Sequence, residues 1–158
     1  MENFNSYFLK ERRIFLENIS YETISHTKKS PVGRLGCKDS VVSQLLLPAG
    51  IKIIFNRRLS FEPEDLFVLS VSFGVIMPFD PAKAGEVDWK NVNIVEEFTK
   101  HCPALLANLN ARTTLLVAQI TSAAGGSPII PIHTRPSDDG MKNSDSELSG
   151  YDDNSKFD

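Results

Sequence analysis

The segment from Phe67 to Phe79 constrains the fold more than any other part of the sequence. Each odd position in it carries a large apolar side chain, namely Phe67, Leu69, Val71, Phe73, Val75, Met77 and Phe79. Strict alternation with a period of two is typical of a β-strand that buries one face. The apolar run is much shorter than the ~20 residues needed to cross a bilayer. The sequence therefore predicts a long strand and no membrane insertion.

A second alternating segment precedes the first. Between Ile51 and Glu62 all but one of the apolar side chains occupy odd positions, at Ile51, Ile53, Phe55, Leu59 and Phe61. The connector from Glu62 to Asp65 contains a proline and is typical of a turn, so the two segments are predicted to form an antiparallel pair. On the even face, Leu66, Val68 and Ile76 are apolar as well, a surplus that is typical of a subunit or binding surface.

The apolar pattern changes parity within the first segment, from Phe8 to Ile24. Ile14 and Leu16 occupy even positions, whereas Ile19 and Tyr21 occupy odd ones. A strand with a bulge or a kink at Glu17–Asn18 explains this change. The polar stretch from Ser25 to Asp39 is predicted to be a loop, and Val41–Leu47 a short strand.

Helical periodicity replaces alternation after Phe79. Val92–His101 is predicted to be a short helix, and Ala104–Ala124 a long one with Pro103 in its first turn and Gly125 at its end. Strands thus come first and helices follow. The predicted fold class is α+β, an antiparallel β-sheet of about four strands with a long C-terminal helix packed on it.

The charged residues are distributed differently in the body of the chain, residues 1–133, and in its tail, residues 134–158. Residues 134–158 contain seven acids and three bases, whereas residues 1–133 contain thirteen acids and fourteen bases. The tail is predicted to be an acidic disordered segment, and residues 1–133 a single domain. A nearly neutral body disfavours nucleic acid as a partner, because phosphate binding requires clustered Lys and Arg.

No residue pattern indicates catalysis or metal binding. The histidines His26, His101 and His133 are far apart, and Cys37 and Cys102 lack metal-ligand spacing. Cys102 at a helix start is either an activated thiol or a buried small residue, and the absence of a nearby base favours burial. The sequence predicts no enzyme, no cofactor and no metal. The first residues do not resemble a signal peptide, so a cytoplasmic location is expected.

Three stretches resemble the SecB family of tetrameric protein-export chaperones and, more loosely, the SecB-like chaperones attached to toxin–antitoxin systems. Arg13–Glu22 is similar to the family's first strand, whose signature is Asp-Ile-Ser-Phe-Glu, and Phe67–Phe79 is similar to its last strand. Cys102–Arg112 resembles Cys-Pro-Asn-Ile-Leu-Phe-Pro-Tyr-Ala-Arg, which opens the family's main helix, with one extra residue here. The family's second helix has no counterpart in Thr134–Asp158.

The resemblance implies an ATP-independent holdase that binds unfolded or presecretory polypeptides and forms a homo-oligomer, either a tetramer or a dimer. One alternative is a chaperone dedicated to a single partner such as an antitoxin. Another is a small α+β module that binds a ligand or regulates a partner through a closed apolar pocket.

Two sets of residues follow from the resemblance as hypotheses. Large aromatic side chains would contact a client, although core packing is the favoured explanation for each of them taken singly, because alternation indicates burial: Tyr21, Phe55, Phe73, Phe79 and Phe98. Asn18 and Glu22 occupy the positions of two family acids, of which the first docks the SecA ATPase. Asn18 replaces that acid here, and Glu22 matches the second.

Overall fold

Four long antiparallel strands form the centre of the protein. The computed structural model describes residues 4–24, 34–62, 67–125, 127–131 and 141–143. The strands are β1 (Arg13–Thr23), β2 (Arg34–Leu46), β3 (Gly50–Glu62) and β4 (Phe67–Pro78), in the spatial order β1-β4-β3-β2. A short strand, β5 (Met141–Asn143), runs parallel to β2 at the edge of the sheet. The predicted α+β class and four-stranded antiparallel sheet are confirmed.

Two helices cover one face of this sheet. They are α1 (Ile94–His101) and α2 (Pro103–Ala123), and α2 contacts β3 and β4. Directly paired residues such as Phe55 and Phe73 lie on the same side of a sheet, so the odd-numbered residues of β3 and β4 share one face. This is the face that the helices cover. The alternation found in the sequence therefore records a face that the helices bury.

The helices begin and end at residues whose side chains suit helix termini. The side chain of Asn93 accepts a hydrogen bond from the Glu96 amide and so caps α1. Cys102 separates the two helices, and Pro103 begins α2 at a position that needs no amide donor. Beyond the end of α2, Gly125 adopts φ +87°, which favours glycine.

The predicted loop from Ser25 to Asp39 is wrong from residue 34 onwards. Strand β2 begins at Arg34, and its residues pair with β3 without a break as far as Leu46. The first half of β2 is polar, so apolar periodicity does not reveal it as a strand. One of its polar side chains, Asp39, is nevertheless buried and takes part in an ion pair. Strand β1 is also shorter than predicted and begins at Arg13 rather than Phe8.

The predicted tail and turn fall mostly on residues outside the described ranges. Residues 63–66, including Leu66 of the even-face surplus, belong to that group, as do residues 132–140 and 144–158. Within the predicted tail, only Met141–Asn143 is described, and it forms β5.

A charged side chain interrupts the apolar row of β3. Arg57 lies between Phe55 and Leu59 and is 1% exposed. Its guanidinium donates from Nε to Oδ1 of Asp39 at 2.7 Å and from Nη2 to Oδ2 at 2.6 Å. This bidentate geometry matches a planar guanidinium to a carboxylate and is the strongest form of charged pairing in proteins.

The same guanidinium reaches helix α2. Nη2 donates to Oδ1 of Asn110 at 2.8 Å, and Nη1 donates to Oγ1 of Thr114 at 2.7 Å. Burial lowers the pKa of Arg57, but hydrogen bonding and charge from Asp39 more than offset this and raise the pKa above its ordinary value. The Arg57 network, defined as Asp39, Arg57, Asn110 and Thr114, therefore ties β2, β3 and α2 together through one permanently charged group.

We expect Asp39→Asn to destabilise the protein by about 3–5 kcal/mol, because it leaves a buried guanidinium without its counter-charge. The measurement is the free energy of unfolding from urea denaturation followed by circular dichroism. The matched control is Glu17→Gln, which removes an ion pair between Glu17 and Lys52 at 2.7 Å on the exposed side. That change is expected to cost less than about 1 kcal/mol. Equal costs for the two variants would contradict the structural role of the network.

Candidate polypeptide-binding surface

The bulge in β1 collects apolar side chains on one face of the sheet. The pairing register with β4 shifts between Leu16 and Asn18, which confirms the predicted irregularity. Before the bulge Leu16 pairs with Phe73, and after it Ile19 pairs with Val71. Both therefore lie on the helix-covered face in spite of their opposite parity, because the extra residue resets the alternation.

Helix α2 does not cover this face as far as β1. It contacts β4 and β3, and β1 forms the outer strand next to β4. As a result Leu16, Ile19 and Tyr21 are 46%, 42% and 37% exposed. We refer to these three side chains as the β1 band. Within the described residues no strand pairs with the outer side of β1, so the band adjoins free backbone hydrogen-bonding groups.

A groove lies at the Tyr21 end of the band. Its volume is about 450 Å³, and Tyr21, Phe67, Thr121 and Ile129 contribute to its walls. The rings of Tyr21 and Phe67 stack with their centroids 5.5 Å apart. The Ile129 amide donates to Oγ1 of Thr121 at 3.0 Å and fixes the far wall against α2. The groove is mainly apolar, and three of its lining residues, Tyr21, Thr121 and Ser127, carry hydroxyl groups.

A second apolar groove runs along α2. It measures about 590 Å³ and lies between the helix and the segment 127–131, with Ala111, Leu115 and Ile130 in its walls. Leu115 is 61% exposed and Ile130 is 69% exposed. Asn110 and Thr114 of the Arg57 network also line it, so the network that holds α2 on the sheet also positions this groove.

The predicted client-contact residues do not form one surface. Phe55, Phe79 and Phe98 are buried in the main core, so their interpretation as client contacts is corrected to core packing. Phe79, for example, packs on Trp89 with ring centroids 4.7 Å apart. Phe73 is half-buried beneath the helices, and only Tyr21 is exposed. The reason is that strict alternation identifies the buried face, whereas exposed apolar residues arise where the covering helix ends.

The predicted docking residues share the opposite face of the sheet. Asn18 and Glu22 are both exposed on β1 and pair with Ser72 and Val68 of β4. No helix of the described chain packs on this face. The structure thus brings the two residues to a single surface, and their role in docking stays a prediction.

An aromatic ring partly fills the same open face. Phe15 lies on Gly74, where a Cβ atom would stand 2.5 Å from the ring. Lys52 places its Nζ 5.4 Å from the centre of the Phe15 ring and donates to Glu17. Val68 and Ile76, the described members of the even-face surplus, are half-buried. This face is mixed in polarity, whereas the β1 band is apolar.

Neither thiol is an activated nucleophile. Burial raises the pKa of Cys102, even though Arg12 acts in the opposite direction, and Sγ of Cys102 lies 3.1 Å from Oδ1 of Asn5. Burial, followed by the charge of Asp39, raises the pKa of Cys37. Both groups are thus protonated near neutral pH. Among the described residues no group of three His, Cys, Asp or Glu side chains is placed to hold a metal ion.

None of the helices in the described ranges is long and apolar enough to span a membrane.

Comparison with solved structures identifies the fold. A SecB-like chaperone of Mycobacterium tuberculosis, solved in complex with a ChAD peptide from the HigA1 antitoxin, superposes with a TM-score of 0.55. The match covers 78% of this chain and 90% of that one, at 9% sequence identity. The chain has a SecB-like fold. This agreement in architecture supports the sequence resemblance at the level of the fold.

The remaining comparisons add no further relationship. A protein of unknown function from Streptococcus agalactiae matches over 78% of this chain and 96% of its own, at 14% identity. The TM-score of 0.34 is too low to indicate a shared fold. No protein-family model and no curated protein matches the sequence.

We expect the β1 band to bind an environment-sensitive apolar dye. The double variant Leu16→Gln/Ile19→Gln should reduce the dye fluorescence at saturation by at least about half, because it removes most of the exposed apolar area of the band. The control, Leu47→Gln, changes a leucine that is 55% exposed in the turn after β2. Fluorescence titration measures the effect, with urea denaturation to verify folding. A similar loss in the control would show that the dye does not report on the band.

Proposed function

We propose that this protein is a SecB-like chaperone that holds an extended partner polypeptide without using nucleotide. The observation that carries the proposal is the β1 band, a row of exposed apolar side chains beside a free strand edge on a SecB-like fold. Such a surface suits an unfolded chain, which offers apolar side chains and unsatisfied backbone groups together.

The nature of the contacts favours tolerance over exact recognition. Leu16, Ile19 and Tyr21 provide apolar contact area, and the two grooves are open and mainly apolar. Contacts of this kind accept many sequences, because they contain few polar groups that reject an unmatched partner. A closed pocket for a small ligand would require an enclosed cavity, and both of these grooves open to solvent.

A dedicated partner is the form of this function that we favour. The SecB-like chaperone of Mycobacterium tuberculosis holds a peptide from an antitoxin, which supports a single polypeptide partner for the present chain. A general role in export rests on the sequence resemblance. Docking of SecA would require the surface that contains Asn18 and Glu22, where Asn18 removes one of the family's negative charges.

We further propose that the protein assembles as a dimer or tetramer. Support comes from the resemblance of the sequence to the tetrameric SecB family and from the SecB-like fold. Light scattering measures the solution mass. A strict monomer at micromolar concentration would contradict this assembly.

We expect the purified protein to suppress aggregation of a reduced, unfolded model protein at a near-stoichiometric ratio, in the absence of nucleotide. Leu16→Gln/Ile19→Gln should require at least about a threefold higher ratio for the same protection, because part of the apolar contact is lost. Leu47→Gln serves again as the control. Turbidity at 360 nm gives the readout. The absence of protection by the wild type at several-fold excess would contradict the holdase function.

Affinity purification from the native host distinguishes a dedicated chaperone from a general one. We expect the tagged full chain to retain one small protein in near-equal amount, and Leu16→Gln/Ile19→Gln to lose it. Mass spectrometry identifies and quantifies the retained proteins. Recovery of many unrelated proteins in comparable amounts would instead support a general holdase.

A further inference from the structure

The second edge of the sheet is occupied by the chain itself. Residues Met141–Asn143 pair in parallel with Val41–Ser43 of β2. The other neighbouring strands of the sheet pair antiparallel over ten residues or more. A three-residue parallel strand forms few hydrogen bonds, and parallel pairing is slightly less stable per residue. β5 is thus the most weakly held strand of the sheet.

The β2 edge next to β5 is built from core residues. Val41 is fully buried and belongs to the main apolar core, and Ser43 is also buried. Helix α1 lies beside both β2 and β5. An extended segment at this position therefore lies between a backbone edge on one side and a helix on the other, which is the arrangement used in strand addition.

The connection to the body keeps the segment close to this edge. Nine residues separate Pro131 from Met141, and a link of that length gives an effective concentration of about millimolar. A weak strand is held in place by such a tether. A segment that forms a longer pairing with the thirteen-residue β2 strand would compete with it for this edge.

We propose that the β2 edge is a strand-addition site for an extended polypeptide, and that residues Met141–Asn143 are its intramolecular occupant. This inference rests on the proposed chaperone function and adds a regulatory step, since a partner must displace β5 before it pairs with β2. The C-terminal segment then raises the threshold for binding, and only segments that pair beyond Val41–Ser43 are retained.

The first test removes the occupant in the full chain. Met141→Pro and Lys142→Pro are used separately, because successive residues of a parallel strand alternate in bonding to a given neighbour and each proline removes one amide donor. Asn154→Pro is the control, in the same tail but away from β5. Hydrogen exchange followed by NMR should show faster exchange within Val41–Ser43 in one or both β5 variants and no change in the control. Unchanged exchange in both β5 variants would overturn the intramolecular occupancy.

The second test measures competition at the edge. The probe is a fluorescein-labelled peptide with the sequence of residues 137–147, and its binding is followed by fluorescence anisotropy. We expect the β5 variant that exchanges faster to bind it at least about threefold more tightly than the wild type and Asn154→Pro. The same peptide with proline at both its Met141 and Lys142 positions should not bind. Equal affinity for all proteins would overturn the competition.

The aggregation assay separates this inference from the proposed function. The β5 variants should protect the unfolded model protein at a lower ratio than the wild type, because their edge is open. If no variant protects while exchange and peptide binding behave as expected, the holdase function fails and the self-occupied edge stands. If the wild type protects and the β5 variants protect no better, the regulatory role of β5 is overturned.

Discussion

The Arg57 network is the interaction on which the rest of the structure depends. A fully charged guanidinium stands in the apolar row of β3, and burial of such a group is tolerated only when its donors are matched. Asp39 supplies the counter-charge from β2, and Asn110 and Thr114 supply acceptors from α2. The requirement to satisfy one side chain therefore fixes the helix on the sheet in a single position. Apolar packing alone tolerates sliding, whereas a bidentate pair does not.

The position of α2 in turn determines what remains exposed. Because the helix lies over β3 and β4, the apolar side chains of β1 remain partly uncovered, and the groove along α2 is lined by members of the same network. The β1 band is consequently a result of helix placement as much as of the composition of β1. A rigid frame with an uncovered apolar strip is the physical requirement for holding an unfolded chain.

The two edge strands of the sheet, β1 and β2, differ in whether another strand pairs with their outer side. At β1 the described structure leaves the edge open beside apolar side chains, whereas at β2 a short strand from the C-terminal segment pairs with it. Open edges attract further strands, and the proposed functions use this tendency at both ends. In these proposals a partner polypeptide binds at the β1 edge, and β5 regulates access to the β2 edge.

The sequence alone determined the α+β class, the strands β3 and β4, both helices and the bulge in β1. Each of these depends on local periodicity, on a proline or on a glycine, which act within a few residues. Tertiary structure decided the first half of β2, since the polarity of Asp39 indicates a strand only when Arg57 lies opposite it. It also decided which aromatic residues are accessible. Tyr21 and Phe55 both belong to alternating apolar rows, but Phe55 is buried in the core, whereas Tyr21 lies on the outer strand β1 and is exposed. Exposure depends on contacts between residues far apart in the chain, and no local pattern encodes it.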